Sequence, residues 1–172
     1  DPAPFAEALD KVLILVDQLA AEGIHLHHID LGGGLGIRYS DETAPTVASY
    51  LQPLLKKLAG RKLKIVLEPG RRLVGNAGLL LTKVEYLKPG EVKNFAIVDA
   101  AMNDLARPAL YDAWHDILPV TPRNEATKSW EIVGPVCESG DFLGHDRPLA
   151  LQAGDLLAIM SAGAYGMAMS SN

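Results

Sequence analysis

The strongest constraint on the fold is a pattern that occurs twice: an apolar stretch that runs into a tight, side-chain-poor turn. "HLHHIDL" (25–31) runs into Gly32, Gly33 and Gly34, and "KLKIVLEPG" (62–70) stops at Pro69 and Gly70. Between them, residues 44–59 read as a helix with Thr43 as its cap, Pro45 tolerated in the first turn and Pro53 as a kink; Gly60 ends it. Strand, helix and strand make a βαβ unit, and its strands must be parallel, the second (62–70) being buried. Both strands then point the same way, so Gly32–Gly34 and Glu68–Arg71 fall at one carboxyl edge, where α/β folds place ligands. Upstream, Phe5, Leu9, Val12, Leu13, Val16, Leu19 and Ala20 recur at helical spacing and Gly23 is a good stop, which predicts an amphipathic helix over 4–22.

After residue 75 the texture changes. "GLLLTKVEYLKPG", "NFAIVDAAM", "SWEIVGPVCESGD" and "GDLLAIMSAGAY" are strand-like runs between turn signals. "NDLARPALYDAWH" is irregular or briefly helical. With no helical crossovers, this half is read as mostly antiparallel β. Two βα units are a quarter of an eight-stranded barrel, which takes roughly 250 residues. The expected fold is therefore α/β: residues 1–77 as the C-terminal portion of a TIM (β/α)8 barrel, then 78–172 as a mostly antiparallel β-sandwich or barrel domain, both incomplete.

The function classes narrow by composition. Over 172 residues the net charge is −5, which argues against nucleic acid as a partner. No apolar run is long enough for a bilayer, Asp17 interrupts the longest early one, and residues 1–22 lack the basic start of a signal peptide. One cysteine, Cys137, excludes an internal disulfide and fits a reducing cytoplasm. The chain starts without Met, as expected of a piece of something longer.

A glycine run lets backbone amides approach an anion, and phosphate is the usual guest; a tight strand-to-helix turn is the bland alternative. The dinucleotide pattern fails, since the sixth residue from Gly32 is Ile37, and no Gly-Lys-Ser/Thr follows as a Walker loop requires. Arg71 could pair with a phosphate or a substrate carboxylate, and Glu68, ending a buried strand, needs a cationic partner or strong donor. A structural ion pair is the alternative for Glu68, and a small buried hydrophobe the alternative for Cys137. His25, His27 and His28 alternate between two faces, so no metal site is expected. His115 and His145 fall in expected loops, and Trp114 and Trp130 read as packing residues.

Taken in order, "DLGGGLGIRY" (30–39), "LEPGRRLVGNAG" (67–78), "GPVCESGDFLG" (134–144) and "GAYGMAMSSN" (163–172) resemble the diaminopimelate decarboxylase family, pyridoxal-phosphate enzymes of the alanine-racemase-like fold. The resemblance covers the whole chain and only the carboxyl-terminal part of such an enzyme. It implies decarboxylation of meso-2,6-diaminopimelate to L-lysine and CO2, the last step of lysine synthesis. The alternatives are a related decarboxylase acting on ornithine, arginine or carboxynorspermidine, or a non-catalytic regulatory homologue.

The resemblance also implies roles. Gly33 and Gly34 would bind the cofactor's phosphate, and Glu68 would face the pyridine nitrogen, where a carboxylate keeps the ring protonated and electron-withdrawing. Pro69, Gly70 and Arg71 would complete the cofactor grip, with Arg71 also at the substrate carboxylate. Arg107 and Tyr111 would read the substrate's second carboxylate, Glu138 its far ammonium, and Tyr165 would reach cofactor and substrate. Cys137 would return a proton to the α-carbon, a task for a thiol kept protonated by partial burial and a neighbouring carboxylate. In the family this Cys-Glu loop serves the other subunit of a homodimer with shared active sites. The lysine that carries the cofactor would lie upstream of residue 1.

Overall fold

The structure, a computed structural model, describes residues 3–171. The chain divides into two compact units, Asp1–Ile37 with Thr43–Arg72, and Arg38–Glu42 with Leu73–Asn172.

In the first unit, α1 (Ala3–Ala21), β1 (His28–Asp30), α2 (Val47–Leu58) and β2 (Lys64–Val66) follow in order. β1 and β2 pair in parallel with Ile29 opposite Ile65. Leu9, Leu13 and Val16 of α1, spaced as one helical stripe, pack with Ile29, Leu35, Tyr50, Leu54 and Leu58. Exposed ion pairs Lys57–Asp10 and Arg61–Asp17 flank the helix pair.

Three details differ from the sequence expectation. The cap of α2 is Thr46 rather than Thr43: its side chain accepts the Ser49 amide at 3.0 Å, which leaves Pro45 outside the helix and Pro53 within it. The strands are three residues each, shorter than 25–31 and 62–70. β2 is not buried: Ile65 is half-buried and faces the helices, while Lys64 and Val66 point the other way and are exposed. A strand covered on one face alternates in this way.

The second unit holds α3 (Gly70–Val74), which begins in the first unit, β3 (Leu80–Lys88), β4 (Phe95–Val98), α4 (Arg107–Tyr111), β5 (Ile117–Pro119), β6 (Lys128–Val133), β7 (Phe142–Leu149) and β8 (Leu156–Ile159). Its six-stranded sheet runs β5-β8-β3-β4-β6-β7. Every pairing is antiparallel except β4 with β6, which is parallel. The edge strands β5 and β7 lie against each other, so the sheet is nearly closed. Val84, Val98, Ile132, Leu143, Leu157 and Ile159 fill its interior, and Trp130 donates its indole N–H to the Leu149 carbonyl at 3.1 Å.

The chain enters and leaves this sheet at one crossing. The Ala162 amide bonds the Gly78 carbonyl and the Gly163 amide bonds the Gly75 carbonyl. A Cβ on Gly163 would collide with the Val74 carbonyl and with the Gly78 amide nitrogen at 2.8 Å, so a bare backbone is required there. No helix among the described residues is long and apolar enough to cross a membrane.

Candidate functional site

The parallel register of β1 and β2 carries the glycine run and the Glu68 turn to one rim of the first unit. The Glu68 amide donates to the Gly32 carbonyl at 2.8 Å, and the Asp30 carboxylate accepts the Gly32 amide at 2.8 Å. Gly32 and Gly34 have φ of +68° and +94°, the left-handed region open to glycine. A Cβ on Gly33 would strike the Glu68 carbonyl oxygen, and one on Gly34 the ring of Phe5. Tyr50, in edge-to-face contact with Phe5, donates its hydroxyl to the Gly33 carbonyl at 3.1 Å. Burial pushes the Tyr50 hydroxyl up, which keeps it a donor.

Gly32 is thus fixed at both its polar groups and Gly33 at its carbonyl. No acceptor among the described residues meets the amides of Gly33 and Gly34. Two such amides on side-chain-free backbone fit the phosphate of pyridoxal phosphate. Glu68 is exposed rather than at the end of a buried strand, because β2 stops at Val66 and only one of its faces is covered. The Gly70 amide donates to the Glu68 carbonyl at 2.8 Å, while Pro69 and Arg71 are half-buried.

In the second unit a cluster forms around Arg107, the first residue of α4. Its Nη1 donates to the Tyr39 hydroxyl at 3.0 Å and lies 3.3 Å from Nε2 of His115. The guanidinium sits over the ring of Tyr39 at 4.9 Å and near that of Tyr165 at 5.9 Å. His115 is fully buried, packs edge-to-face on Tyr39 and meets the Met160 carbonyl through Nδ1 at 2.8 Å. Burial, with Arg107 and Arg147 nearby, holds the imidazole below its ordinary pKa against the opposing pull of the Met160 carbonyl. Tyr165 has φ of +64°, a strained backbone for a bulky residue and one that marks functional turns. Tyr111, one turn beyond Arg107, is exposed.

Cys137 and Glu138 lie on the loop between β6 and β7, and both are exposed, so partial burial of the thiol is not met in this chain by itself. The Gly140 amide and then the Ser139 hydroxyl hold the Glu138 carboxyl below its ordinary range, keeping it anionic. Buried Asp141 organises the loop: its carboxylate accepts the Val136 amide at 2.8 Å and the Met102 amide at 2.6 Å. Gly134 makes room for it, since a Cβ there would collide with the same carboxylate.

Sequence reasoning misses Tyr39, His115 and Asp141. It places His115 in a loop; the residue does lie between α4 and β5, but fully buried, and His145, also expected in a loop, is on β7. The partners of Arg107 sit 68 and 8 positions away, so spacing carries no sign of them. Asp141 has one local signal, an acid three residues after Glu138 in a Ser-Gly turn. Trp114 stays partly exposed beneath the Arg147 guanidinium, 3.3 Å from its ring centroid.

Residues 13–163 match the family described as "Pyridoxal-dependent decarboxylase, C-terminal sheet domain". The chain is 62% identical over 169 residues to the diaminopimelate decarboxylase of Pseudomonas fluorescens, covering 98% of itself and 41% of that protein. It is 61% identical over 172 residues to that of Neisseria meningitidis, covering 100% of itself and 42% of that protein. It superposes with a TM-score of 0.92, at 44% identity, on crystalline diaminopimelate decarboxylase from Helicobacter pylori complexed with L-lysine, covering 99% of itself and 43% of that chain. The chain therefore spans about two-fifths of the length of these relatives. The match over 13–163, with the glycine rim and the nearly closed sheet, shows that this chain belongs to the pyridoxal-dependent decarboxylase family.

Proposed function

We propose that the protein to which this chain belongs decarboxylates meso-2,6-diaminopimelate to L-lysine and CO2, as the last step of lysine synthesis. The observation that carries the reading is the rim where Gly33 meets the Glu68 carbonyl and the Gly33 and Gly34 amides stay open. The named relatives, and the L-lysine held by the Helicobacter pylori enzyme, support the substrate. In this reading residues 1–77 are the end of a TIM barrel and 78–172 the β domain that follows it. The protein works in the cytoplasm as a homodimer whose subunits share active sites.

When bound, pyridoxal phosphate supplies a protonated ring that accepts the electron pair left by departing CO2. Gly33 and Gly34 donate their amides to its phosphate, with Pro69, Gly70 and Arg71 completing the grip. Glu68 holds the proton at the pyridine nitrogen, since an anion there favours the charged form. Arg107 and Tyr111 bind the far carboxylate, where a guanidinium can donate two parallel hydrogen bonds. Glu138, held anionic by its own loop, takes the far ammonium, and Tyr165 closes on cofactor and substrate. Cys137, carried on the loop that Asp141 fixes, delivers a proton to the α-carbon.

Assay of the full-length protein with diaminopimelate, ornithine and lysine tests the proposal. Release of L-lysine and CO2 from diaminopimelate is the expected result. Turnover of ornithine without turnover of diaminopimelate overturns it.

A further inference from the structure

We propose that His115 is a positioning residue for Arg107: a neutral imidazole, locked in one tautomer, whose Nε2 lone pair fixes the direction in which the guanidinium faces the substrate's far carboxylate. The inference rests on the assignment of Arg107 above. Its physical basis is the nature of the two partners. A carbonyl oxygen can only accept, so Nδ1, 2.8 Å from the Met160 carbonyl, carries the hydrogen. A guanidinium can only donate, so Nε2, 3.3 Å from Nη1 of Arg107, must present its lone pair. One ring therefore satisfies both neighbours in a single protonation state.

A protonated ring would set an N–H against the Arg107 N–H and add a third cation beside Arg107 and Arg147, with the Met160 carbonyl and the Asp116 carboxylate opposing. Full burial disfavours that form further. Arg107 is gripped on several sides: the Tyr39 hydroxyl accepts from Nη1, the Tyr39 ring lies at 4.9 Å and the Tyr165 ring at 5.9 Å. The aromatic faces leave the guanidinium free to turn, and the two acceptors that meet Nη1, Tyr39 Oη and His115 Nε2, fix that rotation. A bidentate contact with a carboxylate needs this rotation fixed.

Two competing inhibitors of the full-length holoenzyme separate positioning from general support: L-lysine, which keeps the far carboxylate, and 1,5-diaminopentane, which lacks it. In His115→Phe, which keeps a ring against Tyr39 but has no acceptor, the KM for diaminopimelate and the Ki for L-lysine should rise about tenfold or more. The Ki for the diamine should stay within about twofold, and kcat should fall less than KM rises. His115→Gln, which retains a donor and an acceptor, should recover most of the L-lysine affinity. If His115→Phe does not fold, His115→Asn decides, since its amide still reaches toward Met160 but falls short of Arg107. Equal weakening of both inhibitors, unchanged L-lysine affinity, or failure of both variants to fold overturns the positioning role. Failure of the decarboxylase reading itself is read separately, as absence of diaminopimelate turnover by the unmodified enzyme.

Discussion

Asp141 accepts the amide of Val136 at 2.8 Å, one residue before Cys137, and in doing so holds the Cys-Glu loop to a buried anion. The same carboxylate accepts the Met102 amide at 2.6 Å, on the segment that leads into Arg107. Replacing Asp141 by Ala would leave both part-buried amides without this acceptor, at a cost of roughly 1–3 kcal/mol. The expected outcome is a lower thermal unfolding midpoint of the holoenzyme and a kcat loss larger than that of Glu138→Gln. Unchanged kcat with a lowered midpoint would confine Asp141 to stability.

Three glycines of the proposed cofactor rim differ in how much room they have. Gly33→Ala drives a methyl into the Glu68 carbonyl, and Gly34→Ala puts one against the Phe5 ring at a φ of +94°. A non-glycine residue in that region costs about 1–3 kcal/mol. A methyl added at Gly70 would meet nothing within 4 Å and would face no positive φ, so Gly70→Ala should leave folding unchanged. Cofactor titration of the full-length protein should show Gly33→Ala and Gly34→Ala weakened about tenfold or more; retained affinity in both would separate the rim from phosphate binding.

Buried Glu131 gives the second unit an acid-sensitive point. Burial pushes its carboxyl up, but hydrogen bonds from Lys93 at 2.7 Å and His145 at 2.5 Å outweigh this, and the net direction is down. A carboxyl whose folded pKa lies below its unfolded value adds stability above that unfolded value and loses it as pH falls through the folded one. Lys93→Met removes one donor, so acid unfolding of the full-length protein should begin at a higher pH than in the parent, with the curves converging at the acid end. An identical acid limb would rule this pair out as the acid-sensitive point.

Core and surface should separate cleanly in the sheet. Leu157→Ala opens a cavity at a fully buried position and should cost about 2–5 kcal/mol. Val92→Ala, at a residue 94% exposed, should change stability by less than about 0.5 kcal/mol. Chemical denaturation followed by tryptophan fluorescence, with Trp130 in the same core, reads both.

Local order is readable in the sequence and long-range order much less so. Leu9, Leu13 and Val16 announce α1 because helical periodicity is a property of neighbours. The meeting of Gly33 with Glu68 follows from one topological rule about parallel strands. β7 is hidden because "FLGHDRPL" contains Gly144, Asp146 and Pro148, which are poor strand formers. It is a strand because it pairs with β6 at the edge of the sheet, where a proline's missing N–H is tolerated. The parallel pairing of β4 with β6 joins segments some thirty residues apart, and no local pattern encodes it. Tyr39 and His115, the partners of Arg107, are invisible for the same reason.

The position of β8 between β5 and β3 governs how such a chain must be made. β3 emerges at Leu80, yet its neighbour ends at Ile159. At a synthesis rate of roughly 5–20 residues per second, about eighty intervening residues occupy on the order of 4–16 s. Throughout that interval β3 offers one bare hydrogen-bonding edge to any other nascent strand. Closure of that edge thus waits for the last strand of the sheet to be made.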